Sequence, residues 1–205
     1  MSVKIYVEGG GDSRGQQAPL RRAFSKLLRQ FEGRMPSIVC GGSRLAAFNE
    51  FKRAFVDIGN SAMLLVDAEG PVSGDDAWVH VASRQGDRWP RPIGAKDDQL
   101  HLMVELMESW FLADRAELAN YFGTGFAVNK LPGTESQIEP IQKLDVLTAL
   151  KKATLASRKG EYHKGKHSAE LLGNIDPNKL KHSSPGFAAL LMAIEARVGV
   201  GSERK

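Results

Sequence analysis

Residues 61–71 read SAMLLVDAEGP, an unbroken apolar run from Ala62 to Val66 that stops at Asp67. A strand with one wet face alternates apolar and polar residues, whereas a run apolar on both faces fits a central strand of a parallel sheet covered by helices. Working outward, RLAAFNEFKRAFVDIG (44–59) carries the helical spacing, with Leu45, Phe48, Phe51 or Lys52, and Phe55 along its inner side. PSIVCGG (36–42) reads as a short buried strand. Before it, Leu20, Phe24, Leu27, Leu28 and Phe31 form a helical stripe with Arg21, Arg22, Lys26 and Arg29 off it.

At the start, VKIYVEGGGDSRG (3–15) alternates Val3, Ile5 and Val7 against Lys4 and Tyr6 until Gly9–Gly11 end the strand. The order is β-α-β-α-β with short connections, and right-handed crossovers make such strands parallel. Ligands of these sheets bind beyond the carboxyl ends of the strands. Glu8 stands there after the first strand, and Asp67 and Glu69 after the third.

GPVSGDDAWVHVASRQGDRWPRPIG (70–94) is rich in Gly, Pro and Asp and reads as a surface excursion with a short helix near Trp78–Ser83. In 97–123 a strand from Leu100 to about Glu105 feeds a helix from about Met107 to Tyr121 that ends at Gly123; a single continuous helix is the rival reading. That rival would put His101, Glu105 and Glu108 on one face, a spacing too unspecific for zinc with Cys40 the only cysteine. Helices are expected at 143–156, 167–175 and 184–200, with Ser168 and Ser184 as caps, and GSERK (201–205) as a frayed tail.

The chain has 205 residues, 42% hydrophobic and 25% charged, ordinary values for one globular core. No segment reaches the ~20 apolar residues of a membrane span, the N-terminus has no signal-peptide pattern, and a lone cysteine forms no intrachain disulfide. The expected compartment is the cytoplasm. The net charge of +4 is mild, but Lys143 to Lys181 holds nine basic and four acidic residues, so the C-terminal third carries the whole excess.

Three carboxylates at neighbouring strand ends repel, since two like charges ~4 Å apart cost about 4 kcal/mol at an effective dielectric near 20. A proton, a basic side chain or a divalent ion has to offset that, and Mg²⁺ with its preference for carboxylate and phosphate oxygens suits best. On an extended strand end, Asp67 and Glu69 at i, i+2 point to the same side. The chemistry this supports is metal-assisted phosphoryl transfer or phosphodiester hydrolysis. The plain alternative is an acidic sheet edge meeting solvent.

GGGDSRG is neither a Walker A loop nor G-x-G-x-x-G, because position 14 is Arg14. Its glycines read instead as positive-φ positions that let the backbone approach closely beside Glu8, with Asp12 or Ser13 reaching the site or capping a turn. Glu108 is either a favourable first-turn anion or a further ligand beside the strand ends, and Trp110, Phe111 and Leu112 are core. SRKGEYHKGKHSAE (157–170) mixes Arg158, Lys159, Lys164 and Lys166 with Tyr162, His163 and His167, a solvated basic loop or a phosphate-contacting one; Arg44 offers another phosphate contact after the second strand.

YVEGGGD, VDAEGP, LMVELMESWFLADRAEL and KATLASRKGEYHKGKHSAELL together resemble an uncharacterised bacterial family, a domain of unknown function related to the Toprim fold and often encoded beside an ATPase in defence or mobile loci. The resemblance implies an α/β, Toprim-like (Rossmann-like) core with a mainly parallel sheet flanked by helices over 1–125. A smaller, basic, mostly helical portion over 126–205 would pack on it. Glu8 matches the Toprim glutamate and Asp67 the first residue of its Asp-x-Asp, while Glu69 departs from the second aspartate. Glu108 in MESWF is similar to an acidic-Trp motif of related defence proteins.

The function implied is a Mg²⁺- (or Mn²⁺-) dependent nuclease or phosphoryl-transfer subunit working on DNA or RNA with an ATPase partner. Glu8, Asp67 and Glu69 would then be catalytic, with Glu108 joining them on the metal, and Arg44, Lys159, Lys164, Lys166 and His167 would hold phosphate. The rival is a non-catalytic docking or sensing partner of the ATPase.

Overall fold

The computed structural model describes residues 2–11, 14–72, 74 and 76–199. Asp12 and Ser13, offered above as site or turn residues, and the tail at 201–205 lie outside the described residues.

Four strands form one parallel sheet in the order β2-β1-β3-β4: β1 (Lys4–Val7), β2 (Ser37–Cys40), β3 (Ala62–Asp67) and β4 (Leu100–Met103). Every residue of β3 is buried, which is why its sequence is apolar without alternation. The expected fold class is what the protein adopts, a Rossmann/Toprim-like α/β sheet flanked by helices.

On one face Ile5, Val7, Met63, Leu65 and Met103 pack under α1 (Arg14–Leu27) and the helices that follow the sheet, in a cluster running from Val3 to Ile194. Those helices are α4 (Arg115–Phe122), α5 (Lys143–Thr154), α6 (Lys164–Asn174), α7 (Pro177–Ser183) and α8 (Pro185–Gly199). On the other face Tyr6, Leu64, Val66, Leu100 and Leu102 pack under α2 (Arg44–Ile58) and α3 (Ala77–Ser83). α6 lies against α1, and α8 against β4.

Several expectations need correcting. The excursion over 70–94 is only partly a surface feature, because Trp78, Val81 and Trp89 are buried and Trp89 stacks on Phe48 at 4.3 Å. Leu45 does not face inward; it is 57% exposed, and Ala47 fills that side of α2 instead. The continuous-helix reading of 97–123 fails, but so does a single helix after Met107. Met107–Ala113 is a 3₁₀ segment, buried on every side, and α4 begins afresh where the Asp114 carboxylate accepts the Glu117 N–H. A segment buried all round has no polar face to register a helical period.

Ser168 caps nothing, since α6 already starts at Lys164. Ser184 does cap α8, its Oγ accepting the Phe187 N–H at 3.0 Å. α7, not foreseen, carries a local signal in Asp176-Pro177: an N-cap carboxylate that accepts Asn178 N–H at 2.8 Å, followed by proline in the first turn. No helix among the described residues is long and apolar enough to cross a membrane.

Candidate metal centre

The sheet order sets the location. From β1 the chain crosses to β2 on one side and later to β3 on the other, so the crevice between the carboxyl ends of β1 and β3 is the switch point where such sheets bind ligands. Glu8 and Asp67 flank that crevice, and the Glu8 N–H still pairs with the Leu65 carbonyl at 3.1 Å.

Gly9, Gly10 and Gly11 follow with φ of 108°, 87° and 69°, three left-handed residues in succession, a path that suits glycine. Gly9 and Gly42 exchange backbone hydrogen bonds, tying the turns after β1 and β2 together. At Gly41 a Cβ would fall 2.6 Å from Ala47 Cα, so only glycine admits the first turn of α2, which Ser43 caps through the Ala46 N–H and from which Arg44 projects.

Glu8, Asp67 and Glu69 each place a carboxylate oxygen within 4.8 Å of the others, an arrangement that can hold a metal ion. The route to it differs from the expected extended strand end. β3 stops at Asp67, and Glu69 lies in the left-handed region at φ 65°, with its N–H on the Glu105 carbonyl at 2.7 Å. The Ala68 carbonyl before it is held by His80 Nε2 at 2.8 Å. The turn, and not strand alternation, brings Glu69 back to Asp67; a left-handed non-glycine residue is the kind of local cost found at functional sites.

Asp67 is 4% exposed. Its Oδ1 accepts the Met107 N–H at 2.7 Å, while burial and then Glu8 push its carboxyl up to about 7. Glu8 Oε2 accepts the Asp67 N–H at 3.2 Å and Arg44 Nη1 at 3.3 Å.

Arg44 is thus drawn into the site itself. Its Nη1 also donates to the Asp67 carbonyl, and its Nε and Nη2 fork onto Asp87 at 2.8 and 2.7 Å, above the Trp89 ring. Burial opposes its charge, but Asp87 and Glu8 outweigh that and raise its pKa. Arg84 joins Asp87 at 3.0 Å and approaches Glu69 at 4.0 Å, and Lys143 Nζ bonds Glu69. Neither Arg84 nor Lys143 stood out in the sequence, and Asp87 only as part of a loop. What places Lys143 is its own N–H on Glu105 Oε2 at 2.7 Å, a contact made 38 residues away in the chain.

Glu108 is fully buried at the same edge but falls outside the ligand group. It accepts the Tyr162 hydroxyl at 3.0 Å and lies 3.3 Å from Lys164 Nζ, which is also 3.9 Å from Asp67 Oδ2. Glu108, expected as a further metal ligand, thus faces Tyr162 and Lys164 in this structure. Burial and then Glu108 drive the Tyr162 pKa upward, so this hydroxyl stays a donor. The Lys164 pKa rises, Glu108 and Asp67 outweighing its desolvation.

The side chains of the basic tract lie apart. Of its expected phosphate contacts only Lys164 reaches the acidic group. Lys159 sits 3.4 Å over the Tyr121 ring and 3.7 Å from Glu170, and Lys166 is exposed on α6. His167 is buried among Tyr121, Phe122 and Tyr162, with Nδ1 accepting the His163 N–H at 3.0 Å. It serves as a brace for the start of α6, and burial, then Lys159 and Lys166, lower its pKa. Asp114 too is structural, bound to Lys179 at 2.6 Å.

A groove of about 960 Å³ runs along β4 between α8 and Pro71, Val72, Gly74 and Ala77, and Glu105 is where it adjoins the acidic group. Its lining includes Asp97, Asp98, Glu105 and Glu139, of which Asp97 and Asp98 are paired with Arg91 and Arg197.

A family model described as a domain of unknown function, DUF4276, matches residues 7–195. No curated protein matches the chain. No solved structure matches it either.

Proposed function

The chain belongs to the DUF4276 family, and we propose that it is a Mg²⁺- or Mn²⁺-dependent phosphodiester hydrolase acting on DNA or RNA. The observation that carries this reading is the convergence of Glu8, Asp67 and Glu69 within 4.8 Å at the switch point of a parallel sheet, ringed by Arg44, Arg84, Lys143 and Lys164. The donor set fits a hard divalent cation, being all carboxylate oxygen. A divalent ion held there neutralises phosphate charge and lowers the pKa of a bound water.

The residues around it have separable tasks. Asp67, fixed by the Met107 N–H, and Glu69, fixed by its turn, present preset oxygens; Glu8 is a third ligand or the acceptor of the water's proton. Hydrolysis consumes one water per phosphodiester and yields a phosphomonoester and an alcohol. Lys164, with 60% of its side chain exposed, faces the entering anion. The tie to a bacterial defence system with an ATPase rests on the family resemblance alone.

A second reading has one observation in its favour: every carboxylate of the group already has a cation of the chain beside it, as a purely structural cluster would. On that reading the protein is a docking or sensing partner of the ATPase. Incubation of single-stranded and duplex DNA and RNA with the protein, with and without Mn²⁺ and the ATPase, separates the two. The hydrolase reading expects metal-dependent cleavage lost at least ~100-fold in folded Glu8→Gln, on the scale of removing one strong stabilising group. No cleavage under any condition, with ATPase binding intact in that variant, leaves the docking reading.

A further inference from the structure

We infer that the centre takes one divalent cation and that the Lys164 ammonium stands where a second would bind. This deepens the metal reading above and depends on it. Two-metal phosphodiesterase sites place their ions ~3.5–4 Å apart, clamping the attacking and leaving oxygens between them. Among the described residues only the carboxylates of Glu8, Asp67 and Glu69 converge, and Glu108 stands off. The gap between Asp67 and Glu108 is filled by Lys164 Nζ, 3.9 Å from Asp67 Oδ2 and 3.3 Å from Glu108 Oε1.

Glu108 is committed to that role. It is fully buried, and the Tyr162 hydroxyl fixes Oε1 at 3.0 Å, so its oxygens face Lys164 and not the open crevice. Lys164 opens α6, with its backbone anchored by the first turn that His163 and His167 brace. An ammonium has three donors. Glu108 accepts from Lys164 Nζ at 3.4 Å and Asp67, at 3.9 Å, is an ion-pair neighbour only, so donors remain for an anionic ligand on the solvent side.

With all groups ionised, the carboxylates of Glu8, Asp67, Glu69, Asp87, Glu105 and Glu108 face Arg44, Arg84, Lys143 and Lys164, an excess of two negative charges that one divalent ion balances. A second would leave two positive charges crowded together before substrate arrives.

Manganese binding, counted by equilibrium dialysis and read by electron paramagnetic resonance, tests the inference. Wild type is expected to hold one Mn²⁺ with an isolated-ion spectrum. Lys164→Ala is expected to hold two with a spin-coupled spectrum, and Lys164→Arg to return to one. Lys164→Ala combined with Glu108→Gln should fall back to one ion, because the vacated position loses its second carboxylate. Two ions in wild type, or a single ion in folded Lys164→Ala, overturns the inference while leaving the metal centre standing. No ion in wild type removes the centre itself, and the inference with it.

Discussion

Asp67→Asn is expected to raise the melting temperature of the metal-free protein at pH 8 and to abolish the further rise that Mg²⁺ or Mn²⁺ gives wild type. The two effects share one cause. In the native state the Asp67 carboxyl is pushed from 3.8 to about 7, by burial first and by Glu8 next. Between those values the folded protein holds a proton that the unfolded chain has released. Stability from this group is therefore complete below about pH 4 and is lost as pH rises through about 7.

At 1.36 kcal/mol per pH unit the native carboxylate costs on the order of 2–4 kcal/mol at pH 8, and Asn, which retains an acceptor for the Met107 N–H, avoids it. For a chain of this size that is a gain of several degrees. Metal binding must expel the same proton, so wild-type affinity for Mn²⁺ should rise about tenfold per pH unit below 7 and level off above it. Thermal melts and calorimetric titrations from pH 5.5 to 8.5 read both slopes. A metal-induced stabilisation that survives in Asp67→Asn would remove Asp67 from the ligand set.

Trp110→Ala should give the largest stability loss in the molecule. Trp110 is fully buried in the 3₁₀ segment, edge-on to Phe24 of α1 at 6.5 Å and to Phe187 of α8 at 5.1 Å. It joins the helix after β1 to the last helix of the chain, and its neighbour Glu108 carries the Lys164 contact. Truncation removes the largest side chain of that cluster and leaves a cavity that three elements cannot all close, at a cost of about 3–5 kcal/mol, or a drop of roughly 10 °C. Trp110→Phe, which keeps most of the volume, should lose less than half of that. A drop under 2 °C for the alanine variant would mean that α8 does not depend on this contact.

The parallel sheet was legible because burial on both faces leaves its mark on consecutive residues, as in Ala62–Val66. Glu8, Asp67 and Glu69 were legible because topology sends every strand's carboxyl end to one edge. The counter-charges were not. Lys143 reaches Glu69 from the start of α5, and Asp87 forks Arg44 from a loop after α3, contacts fixed by packing between distant segments.

The break at Asp114 had a local sign, Asp114 followed by Glu117 three residues on, but the apolar run before it reads as helix. Glu108 illustrates the remaining ambiguity. Its position beside Trp110 marked it as part of the site, but nothing in the sequence distinguishes a carboxylate that holds metal from one that holds Tyr162 and Lys164.

Anomalous diffraction from a crystal soaked in Mn²⁺ tests the metal centre most directly. The account predicts one peak in the crevice between the ends of β1 and β3, about 2.0–2.2 Å from carboxylate oxygens of Glu8, Asp67 and Glu69. A crevice without a peak at saturating Mn²⁺, with the three carboxylates still paired to Arg44, Lys143 and Lys164, would contradict it.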